Sequence, residues 1–375
     1  MKENLEDFYH SHMWQKCSKI LLLFYNGQIP NQTISDYRIE KIFLYEWFEE
    51  DMSVILEDYR RITDKIKQGK SHELSESDGN YLSTCTKGKG NGKDWCSQPF
   101  SDELAKKRAW ELKPSYMTYL INNRIFNQTE QESVVSTARG EKKSFTDVIT
   151  EKILQHKGKS EAELYALFDI NPNAKGKNNT LIRKIIGLTG DLEKTQEFRK
   201  ANMNLRVIRL NKNGTPKEDS PFKTYSFKEL AENDEWEESQ PYLEICNKRF
   251  LFIIFKEVAP KLFVLDSIKF WGLPERQIDE VKRVWNETRE IIKGGVQLKL
   301  TNKGVSTNFP QSKVNKIIFT KIHAHNSYYE VKPGEFIGKG KISDTDKLPD
   351  GRRITKHSFW FSKKYLKEVF EGKWD

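Results

Sequence analysis

The sequence predicts an α+β fold with mixed sheets, arranged as a tandem pair of similar domains. Three observations predict it. A set of parts recurs in the same order about 230 to 250 residues further along the chain. Short apolar strands and amphipathic helices follow one another without a βαβ rhythm. The 375 residues suffice for two domains, each with its own core. The repeat distance is far too long for a solenoid, so the recurrence reads as a duplicated domain.

Residues 3–16 read as a helix leading into the strand Ile20–Tyr25, which is apolar throughout and therefore reads as a central strand. The turn Gly27-Gln28-Ile29-Pro30-Asn31 precedes a hairpin partner near Ile39–Trp47. From Glu49 to Lys67, Val54, Ile55, Tyr59, Ile62 and Ile66 recur at helical spacing, and Gly69 stops the helix. A short strand, Tyr81–Cys85, feeds a polar Gly/Lys loop over 86–94. The basic strand Lys107-Arg108-Ala109-Trp110 closes the set before Tyr116-Met117.

The second set begins at Phe250–Phe255, continues through Ile268-Lys269-Phe270-Trp271, and has its acidic helix at Gln277–Lys293. Its polar loop is His323-Ala324-His325-Asn326, and Lys356-His357-Ser358-Phe359 closes it before Tyr365-Leu366. Polar residues from 122 and two short helices, around Thr146–Gln155 and Glu161–Phe168, read as a spacer ending in a breaker run at 171–176. The second copy has a helix near 181–188 and an extended run, Met203–Leu210, ahead of its first strand; the first has fewer than two dozen residues there. The expected division is therefore 1–122, an N-terminally truncated domain; 123–177, a helical linker; and 178–375, the second domain.

A net charge of +9, with charged residues at 31% and hydrophobic ones at 37%, favours a polyanionic partner, because each neutralised phosphate releases condensed counterions. A basic surface without a partner is the plain alternative. The four cysteines share no CxxC or metal-like spacing and read as thiols in a reducing compartment. No apolar run approaches ~18 residues and no signal-peptide pattern opens the chain, so the expected location is the cytoplasm.

The polar loops carry the chemistry. Glycine lets a backbone approach a duplex, and lysine or histidine can donate to phosphates or to guanine O6 and N7. The candidate DNA-binding residues are Thr86, Lys87, Lys89, Lys107 and Arg108 in the first copy, and His323, His325, Asn326 and Lys356 in the second. A solvated turn is the alternative for either loop alone; the recurrence favours double-stranded DNA. His323 and His325 at i, i+2 suit a metal, but no third ligand lies nearby.

Metal-dependent nucleases place an Asp near a Glu-x-Lys whose i, i+2 spacing puts both side chains on one face of a strand. Asp102 with Glu111-Leu112-Lys113 fits that wording, but it falls in the closing, cation-rich segment, and its counterpart is Trp360-Phe361-Ser362. Glu197 followed by Asn204-Leu205-Arg206 has the right position and the wrong chemistry. A neutral amide ligates Mg²⁺ weakly, and a guanidinium does not give up its proton.

Residues 69–76 (Gly-Lys-Ser-His-Glu-Leu-Ser-Glu), Thr86-Lys87-Gly88, and the stretch from Gln98-Pro99 to Tyr116-Met117 resemble the Sau-type GATC-cutting type II restriction enzymes and the MutH mismatch-repair nuclease. Arg249-Phe250-Leu251-Phe252, Leu348-Pro349 and 355–360 (Thr-Lys-His-Ser-Phe-Trp) are similar as well. The resemblance implies two MutH-like domains, a catalytic one followed by one that binds a second DNA site as an effector, and Mg²⁺ as the cofactor of the complete enzyme. It assigns a catalytic lysine to Lys16, matched by Cys246 in the second copy, and degenerate catalytic positions to Glu197, Asn204 and Arg206. The reading loop of the family falls on His323-Ala324-His325 without its Arg and Pro. Two accounts follow: a nuclease completed by a separately encoded upstream catalytic fragment, or a catalytically inactive relative that only binds DNA.

Overall fold

A computed structural model describes residues 7–25, 33–88, 94–126, 131–135, 143–302 and 304–374. The chain divides into two compact units. One comprises 1–151 and 186–202, the other 152–185 and 203–375. These limits differ from the expected ones at 122 and 178. The segment read as a spacer is shared between the units, because its helices carry core residues: Phe145, Ile149, Ile153 and Leu164 are fully buried.

In the first unit, α1 (His12–Cys17) is capped by Ser11, whose hydroxyl accepts from Trp14 N. It leads into β1 (Lys19–Tyr25), which pairs antiparallel with β2 (Ile39–Glu46). The long helix α2 (Glu49–Lys67) buries a stripe of Val54, Ile55, Tyr59, Ile62 and Ile66 at helical spacing. Gly69, at φ +73°, ends it, and a Cβ there would lie 2.5 Å from the Phe100 carbonyl oxygen. Next come β3 (Leu82–Thr86), β4 (Trp95–Gln98), β5 (Ser101–Lys106), β6 (Arg108–Leu112) and α3 (Pro114–Leu120), with β3 paired to β6 and β4 to β5. Then follows α4 (Phe145–Leu154).

The strand expected to be central is not: β1 belongs to a two-stranded sheet among the described residues, and its side chains alternate between exposed and half-buried. A continuous apolar run fits burial on both faces, but here only one face meets a core.

In the second unit, α5 (Glu161–Leu167) and α6 (Lys177–Ile186) precede α7 (Gln196–Ala201), which the chain returns to the first unit. The first sheet of the second unit joins β7 (Met203–Leu210), parallel to β9 (Arg249–Ala259), with β10 (Leu262–Gly272) antiparallel on the other side. Between β7 and β9 lie β8 (Ser220–Thr224) and α8 (Phe227–Glu232). After β10 runs α9 (Glu275–Gly294), which buries Val281, Val284, Trp285 and Ile292. The hairpin β11 (Leu298–Thr301) and β12 (Gly304–Thr307) follows. A second sheet has the order β13 (Ile318–Ile322), β18 (His357–Phe361), β8; a third has β15 (Glu335–Gly338), β14 (Tyr328–Lys332), β17 (Arg353–Thr355), β16 (Thr345–Lys347). α10 (Lys363–Phe370) ends the unit. One core runs through it, from Phe222 and Phe250 to Trp285, Phe361 and Tyr365.

Candidate nucleic-acid interface

Each unit presents a polar loop at the end of a two-stranded antiparallel ladder, and the same backbone hydrogen bonds fix both loops. In the first unit Thr86 lies opposite Arg108 and Leu82 opposite Leu112. Lys113 N donates to Tyr81 O (2.9 Å) at the inner end; at the outer end Lys87 N donates to Lys107 O (2.7 Å) and Lys107 N to Asp94 O (2.7 Å). In the second unit Ile322 lies opposite His357 and Ile318 opposite Phe361. Ser362 N donates to Ile317 O (2.9 Å), His323 N to Lys356 O (2.9 Å), and Lys356 N to Asp344 O (2.8 Å). In each unit one further carbonyl, that of Asp94 or Asp344, accepts from the backbone of the lysine opposite the start of the loop. Nothing in the sequence marks these carbonyls, since backbone acceptors carry no side-chain signature.

The side chains sort into outward and inward groups. Thr86, Lys87 and Lys107 are exposed, as phosphate or base contacts require. Lys89 lies outside the described residues. Arg108, expected to reach DNA, instead turns back across the ladder, donating from one guanidinium nitrogen to Thr84 O (2.8 Å) and Oγ1 (3.3 Å). Burial pushes the Cys85 thiol up; Glu111 adds to the shift and Lys87 opposes it. At Gly88 a Cβ would stand 2.0 Å from Asp94 Oδ1, so a larger residue there would force the Asp94 side chain to move.

In the second unit His323, His325 and Asn326 are exposed. His323 Nδ1 lies 2.9 Å from Ser358 Oγ, and its ring is 5.8 Å from that of Trp360, over which Lys321 also sits at 4.8 Å. The half-buried Lys356 donates from Nζ to Ser343 O (3.0 Å). His357 is buried, and burial pushes its imidazole down to about 4 while Nδ1 donates to Thr355 O (2.7 Å).

What holds the first ladder in place was missed by sequence reasoning. Asp58, fully buried on α2, accepts from Tyr81 N (2.7 Å), Leu82 N (3.1 Å) and Asn80 Nδ2 (3.1 Å), which positions the start of β3. Asp51, two turns earlier on the same stripe, accepts from the Tyr116 hydroxyl (3.0 Å) and lies 2.6 Å from the buried Lys200 ammonium. Lys200 also sits over the rings of Tyr81 (5.6 Å) and Tyr119 (4.9 Å). Burial raises the Asp51 carboxyl, and Lys200 and Tyr116 oppose the rise. The available signal was two aspartates at i, i+7 within an apolar helical stripe, where charge persists only if partnered.

The expected catalytic positions lie on different elements of the two units. Lys16 is exposed on α1. Asp102 is exposed on β5, Glu111 half-buried on β6, and Lys113 buried beyond the strand end. Asn204 and Arg206 share β7 in the second unit, where Arg206 donates to Pro221 O (2.7 Å) and covers the Phe222 ring (5.0 Å). Glu197 belongs to the first unit, on α7; its carboxylate accepts from Ser133 Oγ, Val134 N (3.0 Å) and Val135 N (3.3 Å). Among the described residues no three His, Cys, Asp or Glu side chains stand together as a metal site. No helix among them is long and apolar enough to cross a membrane.

Mixed α/β units that each hold out a pinned polar loop beside a lysine fit the class of DNA-recognising endonucleases. Residues 1–58 match the family model of the DNA mismatch repair enzyme MutH. Over 394 residues the chain is 32% identical to the type II restriction enzyme Sau3AI of Staphylococcus aureus, covering 98% of this chain and 80% of that enzyme. The chain belongs to this MutH-like family of type II restriction endonucleases.

Proposed function

We propose that the chain recognises double-stranded DNA as a Sau-type restriction enzyme does, at a GATC-like site, through two MutH-like units that arose by duplication. The first unit is of catalytic type and the second is an effector domain that holds another DNA site. The observation that carries this reading is the shared loop scaffold: Lys87–Lys107–Asp94 in one unit and His323–Lys356–Asp344 in the other. Strand register supports it. Leu21 faces Leu44 and Leu23 faces Ile42, as Leu251 faces Phe270 and Ile253 faces Ile268. Tyr116 donates to Asp51 on α2, as Tyr365 donates to Gln277 on α9.

Mg²⁺-dependent phosphodiester hydrolysis is the chemistry proposed for the complete enzyme. Asn204 and Arg206 favour a second reading for this chain by itself, that of a binder without cleavage, which a separately encoded upstream catalytic fragment would complete. Gel shifts with GATC-containing and scrambled duplexes, alongside supercoiled plasmid incubated with Mg²⁺, test both. Binding without nicking is expected. Mg²⁺-dependent cutting that Glu111→Ala abolishes would contradict the binder reading and restore the Asp102/Glu111 motif as the site.

A further inference from the structure

The strand that follows the first unit's loop opens on a tryptophan that solvent reaches. Trp95, the first residue of β4, is 48% exposed. A single exposed apolar side chain calls for no explanation, but this one has neighbours of a particular kind and a fixed position. It lies opposite Lys106 on β5, while the next pair, Cys96 and Ala105, turns to the other face. Leu104, two residues before Lys106 on the same strand, shares the Trp95 face and is exposed too. Asp94, just before Trp95, accepts through its carbonyl from Lys107 N at 2.7 Å, and Lys107 O in turn accepts from Lys87 N. The indole is therefore anchored one residue from the backbone that holds Lys87 and Lys107.

Charge gives this face a direction. Lys106 and Lys107 stand at the Trp95 end of the hairpin, whereas Asp102 and Glu103 stand at the far end, beside the exposed Phe100 of the turn. A polyanion is drawn to the Trp95 end and repelled from the Phe100 end. The second unit supplies the contrast. There Lys356 N donates to Asp344 O as Lys107 N does to Asp94 O, so Thr345 and Thr355 hold the places of Trp95 and Lys106, and they too lie opposite one another. Both threonines are buried. One scaffold thus carries an outward pair of aromatic and cation in the first unit and an inward pair of hydroxyls in the second.

We propose that Trp95 stacks its indole on a nucleobase of the bound duplex, with Lys107 on a flanking phosphate. A paired base offers its face only where a base step opens, so Trp95 acts as a wedge beside the step that Lys87 reads. Every base has a π-face, so the contact adds affinity with little sequence preference of its own. Thr345 gives the second unit no such wedge. The inference rests on the DNA reading of the loops given above and names the aromatic group that acts there.

The test uses the whole chain and GATC-containing duplexes with 2-aminopurine placed in turn at positions in and beside the site, since its emission changes when it leaves the stack. On binding, a change confined to a narrow set of positions is expected. Trp95→Leu should abolish that change and weaken binding at least about fivefold, while Trp95→Phe should keep most of both. Neither variant should alter the salt slope, because no charge is lost. Circular dichroism checks that this exposed position tolerates the changes. A signal that persists in Trp95→Leu, or a loss of affinity no greater in the Leu than in the Phe variant, would overturn the proposal. Should Trp95→Leu fail to fold, the parent chain decides: duplex binding with silent 2-aminopurine at every position overturns the stacking contact while the DNA reading stands. A parent chain that binds no duplex overturns the DNA reading itself.

Discussion

Lys87 is the residue on which sequence reading by the first unit turns. Its backbone is pinned to Lys107 and its side chain is exposed, so the ammonium can reach a base edge from a fixed base. If it contacts guanine, Lys87→Ala should cost roughly 1–3 kcal/mol of binding and flatten the preference for GATC over scrambled duplexes. Anisotropy titrations on the two duplexes check this; equal weakening on both would demote Lys87 to a phosphate contact. His357 makes a prediction of a different kind. Its folded pKa, about 4, lies below the unfolded value, so the unfolded chain takes up the proton first. The stabilisation is complete above pH ~6.5 and is lost as the pH falls toward 4, by about 3 kcal/mol in all. Urea midpoints measured from pH 7 to 4.5 should fall less steeply in His357→Asn, whose amide retains a donor for the Thr355 carbonyl. Parallel pH profiles would contradict the assignment.

Elements were legible where their patterning is amphipathic. Helix α2 came directly from Val54, Ile55, Tyr59, Ile62 and Ile66, and α9 from Val281, Val284 and Trp285, because the 3.6-residue period has few competitors. β1 was misjudged because an unbroken apolar run records a capacity for burial on both faces, not whether both faces are covered. Asp51 and Lys200 were passed over because they meet from distant parts of the sequence. Removing one partner of such a buried pair leaves an uncompensated charge, so Lys200→Met should destabilise the first unit by ~3–5 kcal/mol. Adding Asp51→Asn should recover part of that stability, since the amide still accepts from Tyr116. A double mutant as unstable as the sum of the two singles, in denaturant titration, would show that the pair is not coupled.

For the whole molecule, order and spacing were enough to propose a duplication, whereas the limits of the compact units were not legible. The two helices α4 and α5 looked like a spacer, yet they are divided between two cores, and 186–202 returns to the first unit after its second-unit neighbours. Glu197 falls in the first unit and Asn204 and Arg206 in the second, although sequence spacing had grouped them. The loops were legible as basic and polar, while the carbonyls of Asp94 and Asp344 that pin them were not.

The central claim is that both pinned loops meet a DNA backbone. The most direct measurement is the salt dependence of duplex binding by the whole chain and by Lys107→Ala and Lys356→Ala. Removing one lysine that neutralises a phosphate should lower the magnitude of the slope of log K against log salt by about 0.9. The account predicts a steep slope for the parent chain, a reduction near that size in each variant, and additive reductions in the double variant. A parent slope near zero, or variants whose slopes match the parent, would contradict it.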